Sequence, residues 1–297
     1  MKESPNIVQS WMEAIRLRTL PIPTIQVLTG TVLAYADTGS FNPLMAFYAL
    51  LVAVCVTIGT NIINDVIDDE KGSDTTRRAG FLKVIPAGLI SRQTMRLAGF
   101  AFFGAALLFG IPLWFHAGWP LFVAVVFSVV CGYCYTGGPY PISYLGLSEL
   151  FVLIFYGGVC IGASYYVQTL DFSGTVFLCI LQMGCLAILP NALNNFRDMY
   201  EDAAANKQTL SVRYGRTFAK REIAFLTFFP FVLNLLWLFA GYSLAAFLPL
   251  LLIPMAFLFV KSVWETEPSP LFNRFFGLSV LIHFLFGALL ATGWLLN

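Results

Sequence analysis

The sequence predicts an all-α integral membrane protein, a bundle of nine transmembrane helices with its N-terminus in the cytoplasm. Three observations carry this. Of 297 residues, 58% are hydrophobic and only 11% are charged, whereas a soluble domain carries about 25% charged residues. Apolar runs of about 20 residues, the length that crosses a hydrocarbon core, recur along the whole chain. All 17 Lys and Arg residues fall in or beside alternate connecting segments, as the positive-inside rule requires.

Met1 to Thr19 is polar and amphipathic and lacks the apolar core of a cleavable signal peptide. The spans expected after it are 19–36, 44–63, 95–115, 119–136, 147–168, 175–196, 222–240, 243–262 and 272–296. The third and fourth meet at the tight His116-Ala-Gly-Trp turn, and the seventh and eighth at Gly241-Tyr-Ser. The cytoplasmic segments are then 1–18, 64–94, 137–146, 197–221 and 263–271, while the opposite loops carry Asp37 and Asp171 and no Lys or Arg. A single domain over 1–297 is expected. The net charge of +1 points to no nucleic-acid partner. The six cysteines lie in apolar runs and read as small buried hydrophobes, the Cys131/Cys134 pair included, because no second Cys/His pair exists for zinc. His116 and His283 are isolated and are assigned no role.

Two polar stretches, at 61–78 and 191–213, interrupt the oily chain. Each follows an apolar run, on the cytoplasmic face, and the two lie about 130 residues apart. Asn-x-x-x-Asp occurs in both, as Asn64/Asp68 and Asn194/Asp198, a recurrence consistent with internal duplication. On a helix, residues four apart share a face, so Asn64 and Asp68 point one way, as do Asn194, Asp198 and Asp202. Carboxylates so placed repel. Mg²⁺ relieves this, since it takes oxygen ligands and bridges one or two carboxylates to substrate phosphates. Arg78, Lys83 and Lys207 are placed to contact phosphate oxygens, whereas Arg92, Arg96, Arg216, Lys220 and Arg221 read as topology anchors. An allylic diphosphate suits such a site, with its head at the membrane edge and its tail among the helices or in lipid. A secondary transporter also carries intramembrane carboxylates. It places polar groups near the midplane, however, where this chain has few, Gln182 and Asn234 among them.

Four blocks carry a family resemblance. They are Ala14-Ile-Arg16-Leu-Arg18-Thr19-Leu20-Pro21; Gly59 to Asp68, continued by Gly72 to Thr75 and Arg77 to Gly80; Tyr135-Thr-Gly-Gly-Pro-Tyr140-Pro141, continued by Gly146-Leu-Ser-Glu149-Leu; and Asn194-Asn-Phe-Arg-Asp198, Asp202 and Asn206 to Gly215. Over roughly residues 11–220 the chain resembles the UbiA superfamily of intramembrane aromatic prenyltransferases. Within it, the chain looks most like the branch that prenylates 1,4-dihydroxy-2-naphthoate in menaquinone biosynthesis. Its third block reads Gly-Gly-Pro-Tyr-Pro, where 4-hydroxybenzoate enzymes usually carry a Lys. Homogentisate, 4-hydroxybenzoate or a tetrapyrrole are the acceptors of an alternative reading.

The resemblance implies a UbiA-type fold in a bacterial cytoplasmic membrane, with the active site facing the cytoplasm. It implies one Mg²⁺-diphosphate site at Asn64, Asp68 and Asp74 and a second at Asp198 and Asp202, supported by Asn194. Arg78, Lys83 and Lys207 would contact the diphosphate, and Tyr135 and Tyr140 would border the acceptor pocket. Asp65, Asp68 and Asp198 are the expected catalytic carboxylates, with Asp65 or Asp68 taking the ring hydroxyl proton. The reaction implied is ionisation of a polyprenyl diphosphate, attack by the naphthoate ring, loss of CO₂ and, after oxidation, demethylmenaquinone. Val66 replaces the usual aromatic after the first Asn-Asp, and Asn206 stands where Gly is usual before Lys.

Overall fold

Several helices begin where a capping side chain or a proline meets an apolar run, and no strand occurs among the described residues. The computed structural model describes residues 6–72 and 80–297. A short amphipathic helix, α1 (Ile7–Ala14), is closed at its N-terminus by a reciprocal pair, Asn6 with Gln9. α2 (Pro21–Thr38) starts on Pro21 and ends on Gly39, φ 73°, a left-handed cap that glycine adopts at no steric cost. α3 (Pro43–Glu70) is capped by Asn42 and opens on Pro43. It is 28 residues long, about 42 Å at 1.5 Å per residue, so it outruns the hydrocarbon core and carries the first polar motif with it.

α4 (Arg92–Ala117) and α5 (Trp119–Cys134) meet at Gly118, φ 80°, at the turn expected from the sequence. α6 (Ser148–Thr169) and α7 (Gly174–Arg197) follow, then the short α8 (Met199–Ala204), α9 (Leu210–Phe239), α10 (Ser243–Glu265) and α11 (Phe272–Leu295). Gly241, φ 87°, breaks the chain between α9 and α10, again where a turn was expected. Seven described helices, α3, α4, α6, α7, α9, α10 and α11, are long and apolar enough to cross a membrane. α2 and α5 occupy the positions of the first and fourth of the nine expected spans but do not join that group, and α5 has only 16 residues.

α7 is the centre of the bundle: 72% of its apolar stretch is buried inside the molecule, against 28% for α4 on the periphery. Its side chains Met183, Leu186, Leu189 and Leu193 pack with residues of α2, α9 and α11 in the main core. Glycines bring helices together at two points that matter for the site. A Cβ on Gly99 of α4 would lie 2.7 Å from Ile63 of α3, and one on Gly157 of α6 would lie 2.8 Å from the Ile180 carbonyl of α7. Mid-bundle, Gln182 donates to the Pro230 carbonyl (2.7 Å) and to Asn234, and accepts from Trp237 Nε1 (2.9 Å). These bonds satisfy the polar groups where α9 loosens at Asn234. At the end of the bundle away from the polar motifs, Asp37 accepts hydrogen bonds from Tyr165, Ser173, Thr175 and Tyr242. All six cysteines are free.

Candidate functional site

Both polar motifs open onto one cavity of about 130 Å³ at the same end of the bundle. α3 stays helical through its motif, so Asn64, Asp65 and Asp68 stand in successive positions on one wall. α7 runs helically to Arg197 and presents Asn191, Asn194, Asn195, Arg197 and Asp198 on the facing wall. The loop after α5 forms a third side. It is fixed by Ser143 N–H donating to the Tyr135 carbonyl (2.9 Å) and by Gln208 N–H donating to the Tyr144 carbonyl (3.0 Å). Gly146, φ 68°, lies so close to the Gln208 carbonyl that a Cβ would sit 2.5 Å from it. The third and fourth sequence blocks are therefore bound to one another.

Asn64, Asp65, Asp68 and Asp198 are each held by a named partner. Thr136 Oγ1 donates to Asn64 Oδ1 (2.7 Å), and the Tyr144 hydroxyl donates to Asp68 (3.0 Å). Asp65 is clasped by Arg16 and by Lys83 Nζ at 2.7 Å. Arg16 stands at φ 53°, a left-handed conformation costing about 1–2 kcal/mol for an L-residue; the turn it makes joins α1 to α2. Arg197 is buried and donates two hydrogen bonds of 2.7 Å to its neighbour Asp198 and one of 2.6 Å to Asn273. Arg18 lies over the Phe81 ring, 3.6 Å from its centroid. The Tyr144 ring takes Lys71 at 4.4 Å and Lys207 at 5.7 Å, so it links the first motif to the second. Burial lowers the pKa of Lys71, against the opposing pull of Asp68. Desolvation pushes the Tyr135 phenol up, and the charges of Glu149 and Asp68 add to it, so this hydroxyl keeps its proton.

The structure brings together Asn64, Asp65, Asp68, Lys83, Tyr135, Asn194, Asp198 and Lys207 of the expected residues. Asp202 is buried one turn beyond the wall, 3.8 Å from Lys207 Nζ. Tyr140 is not brought to the cavity, and its side chain is 77% exposed. Asp74 and Arg78 lie outside the described residues. The wall also contains Arg16, Arg18, Thr136, Asn191, Asn195 and Arg197, which sequence reasoning did not assign. Arg16 and Arg18 stood in the first block and Arg197 beside Asp198, so the signal for these three was present. Thr136 stood in the third block and Asn195 in the fourth without a role given to either, and Asn191 stood in no block. Arg213 is structural: it donates to the carbonyls of Gln208 (3.1 Å) and Leu145 (3.0 Å). Both departures from the family pattern are accounted for. Val66 faces the core beside Ile62 and Met95 rather than the cavity. Asn206 has φ 56°, the left-handed region that Gly favours and Asn tolerates.

The wall suits a divalent cation shared with a polyanion. Among the described residues no three His, Cys, Asp or Glu side chains converge on a point, so a site made wholly of protein carboxylates is not present there. The available donors are oxygens of Asn64, Asp68, Asn194 and Asp198, and the Asn194 Oδ1 is buried without a hydrogen-bond partner. That set fits Mg²⁺, which binds through one or two carboxylates and completes its shell with water and substrate phosphate. The charge count agrees. Among the described residues, five cations line the cavity (Arg16, Arg18, Lys83, Arg197, Lys207) against four carboxylates (Glu13, Asp65, Asp68, Asp198). A surplus of one does not neutralise a diphosphate, and metal would supply the remainder.

A second cavity, almost wholly apolar and about 90 Å³, lies deeper in the bundle. Ala49, Ala53, Thr57 and Thr60 of α3 line it one helical turn after another, on the stripe that continues to Asn64 and Asp68. Phe151 and Phe155 of α6 form the opposite side. The Tyr135 ring of the polar cavity packs on Phe151 (5.0 Å), which packs on Phe155 (4.4 Å), so one aromatic contact separates the two cavities. Residues Leu153–Ile161 of α6 are π-helical, a distortion common at functional sites. Within this stretch Tyr156 faces the cavity, and its hydroxyl lies 3.2 Å from that of Thr57.

Comparison with known proteins matches the geometry. The UbiA prenyltransferase family matches residues 24–285. The chain is 30% identical to 1,4-dihydroxy-2-naphthoate octaprenyltransferase of Haemophilus influenzae, over 96% of this chain and 97% of the relative. It is 35% identical to the protein of the same name from Escherichia coli, over 83% and 82%. The fold is shared with a UbiA homolog from Aeropyrum pernix K1 (TM-score 0.71, 14% identity, 94% and 98% covered). It is also shared with a UbiA homolog from Archaeoglobus fulgidus bound to GPP and Mg²⁺ (TM-score 0.63, 14% identity, 95% and 99% covered). With the family spanning most of its length and relatives aligned nearly end to end, this chain belongs to the UbiA prenyltransferase family of integral membrane enzymes that transfer prenyl groups.

Proposed function

We propose that the protein transfers a polyprenyl group from an allylic diphosphate to 1,4-dihydroxy-2-naphthoate, with loss of the ring carboxyl as CO₂, giving the diol form of demethylmenaquinone, which becomes the quinone on passing two electrons and two protons to an external oxidant such as dioxygen. The observation that carries this is the junction at Tyr135 and Phe151, where a polar cavity bearing both Asn-x-x-x-Asp motifs meets an apolar one. Relatives named for dihydroxynaphthoate support the acceptor, and the Archaeoglobus homolog bound to GPP and Mg²⁺ supports the donor and the metal.

In this reading Asn64, Asp68, Asn194 and Asp198 hold Mg²⁺, with Asp74 and Asp202 at the ends of the two motifs. The bound metal supplies charge neutralisation to the departing diphosphate. Lys83, Lys207 and Arg78, with Arg16, Arg18 and Arg197, bind the phosphate oxygens. Asp65 anchors Arg16 and Lys83 rather than reaching for a proton. The allylic C–O bond breaks with its electron pair leaving on the diphosphate. The faces of Tyr135 and Phe151 favour the cation, and the apolar cavity keeps water from it. The ring carbon bearing the carboxylate forms the new C–C bond, and CO₂ departs, leaving its bonding pair in the ring. Electrons balance without removal of a ring C–H proton. Asp68, whose partner Tyr144 is neutral, is the better placed of the two candidate bases for the ring hydroxyl. In this reading this end of the bundle faces the cytoplasm across a bacterial cytoplasmic membrane, and the one-sided distribution of Lys and Arg supports that orientation.

The test is turnover by purified protein across a panel of acceptors and prenyl diphosphates, read by mass spectrometry. Product lacking the carboxyl mass is expected from dihydroxynaphthoate, with Mg²⁺ or Mn²⁺ required and EDTA abolishing it. Preference for homogentisate, 4-hydroxybenzoate or a tetrapyrrole overturns the acceptor assignment, and metal-independent turnover overturns the metal assignment.

A further inference from the structure

Behind the wall of the polar cavity lies a carboxylate that the reaction just described does not use. Glu149, near the start of α6, is 8% exposed and has only neutral donors. Ser148 Oγ donates to it at 3.0 Å, Asn195 Nδ2 at 2.7 Å and Asn191 Nδ2 at 3.4 Å. No Lys or Arg pairs with it among the described residues. An ionisable group at this depth is costly and marks function more often than filler.

Glu149 Oε1 accepts from both Asn191 Nδ2 and Asn195 Nδ2. Asn191 and Asn195 must therefore both turn their –NH₂ groups toward Glu149. For Asn195 that ends the matter. For Asn191 it fixes where the other end of the amide points: Oδ1 faces away from Glu149 and accepts from the Tyr135 hydroxyl at 3.2 Å. Tyr135 has one proton, and that proton is spent on Asn191. Tyr135 lines the cavity, and what its hydroxyl has left to offer a ligand is lone pairs.

We infer that Glu149 is a positioning residue: acting through Asn191, it sets Tyr135 as a hydrogen-bond acceptor, so that the cavity selects ring substrates presenting a free hydroxyl. The inference rests on the aromatic-acceptor reading above and specifies which group of the acceptor is recognised. A site built to pair with a substrate hydroxyl rejects the analogue lacking it, because its own polar group is then left unpaired. Without Glu149 the Asn191 amide is free to turn over. It then offers –NH₂ to Tyr135, the phenol proton swings into the cavity, and the preference for a hydroxyl is lost.

The experiment compares KM and kcat for 1,4-dihydroxy-2-naphthoate, its 1-O-methyl and 4-O-methyl ethers and geranyl diphosphate, in wild type, Glu149→Gln, Glu149→Asp and Tyr135→Phe. In wild type, one ether is expected to lose about tenfold or more in kcat/KM relative to the diol, the worth of roughly one hydrogen bond. Glu149→Gln should raise KM for the diol about tenfold, leave KM for geranyl diphosphate within about twofold and narrow the hydroxyl-to-methoxy ratio. Tyr135→Phe should narrow the same ratio, and Glu149→Asp, which keeps the carboxyl group, should restore part of it. Equal shifts in both KM values, or an unchanged hydroxyl-to-methoxy ratio in Glu149→Gln, overturn the inference. Should Glu149→Gln fail to fold, the wild-type ethers and Tyr135→Phe decide alone. If the enzyme prefers 4-hydroxybenzoate to the naphthoate, the proposed acceptor fails, and the same comparison between 4-hydroxybenzoate and 4-methoxybenzoate still tests this point.

Discussion

Asp198 lies against Arg197 on one wall and Asp68 against Tyr144 on the other. Asp68→Ala and Asp198→Ala should each lower turnover roughly 100-fold or more, the scale on which loss of transition-state charge stabilisation is felt, and Asp198→Ala should also lower the melting temperature in detergent, because it strands the buried Arg197. Full activity in either variant removes that residue from the metal-diphosphate site. A second prediction concerns Asn206, φ 56°. Asn206→Gly should be neutral, whereas Asn206→Val should cost about 1–2 kcal/mol, read as a drop in melting temperature. At this scale the sequence was legible where a residue type repeats in a pattern, as Asn64/Asp68 and Asn194/Asp198 do. It was not legible for Glu149, Asn191 or Thr136, whose meaning comes from partners 42 to 72 positions away. Tyr140 shows the reverse: a residue inside a matching block whose side chain points outward.

Helix breaks at Gly118 and Gly241 were readable because glycine at positive φ has a local cause. The loosening of α9 at Asn234 was not, because it is stabilised from α7 by Gln182. Gln182→Leu should strand the Trp237 indole N–H, which now donates to Gln182 at 2.9 Å, and lower stability by about 2 kcal/mol or more. A melting temperature equal to wild type would show that α9 holds its shape unaided. The π-helical stretch of α6 was equally hidden, since hydrophobic periodicity does not distinguish five-residue from four-residue bonding over nine apolar residues. α2 and α5 were legible as helices by their positions but fall short of the length or apolarity of the other seven.

Across the whole molecule, the polar and apolar cavities share one boundary, and substrate size should be read by the second. Ala53 of α3 lines the apolar cavity. Ala53→Phe should lower kcat/KM for long-chain polyprenyl diphosphates about tenfold or more relative to geranyl diphosphate, by overpacking the tail site. Equal loss for both donors would mean that the tail leaves the protein before it reaches this depth. One further consequence follows from α3 carrying both the polar motif and the apolar lining. Because a single unbroken helix runs from Ala49 to Asp68, the head and tail halves of the substrate site are held in rotational phase. One residue inserted between Thr60 and Asn64 would turn the proposed metal ligands by about 100° relative to the proposed tail lining, leaving two intact half-sites that face different neighbours and cannot grip one substrate.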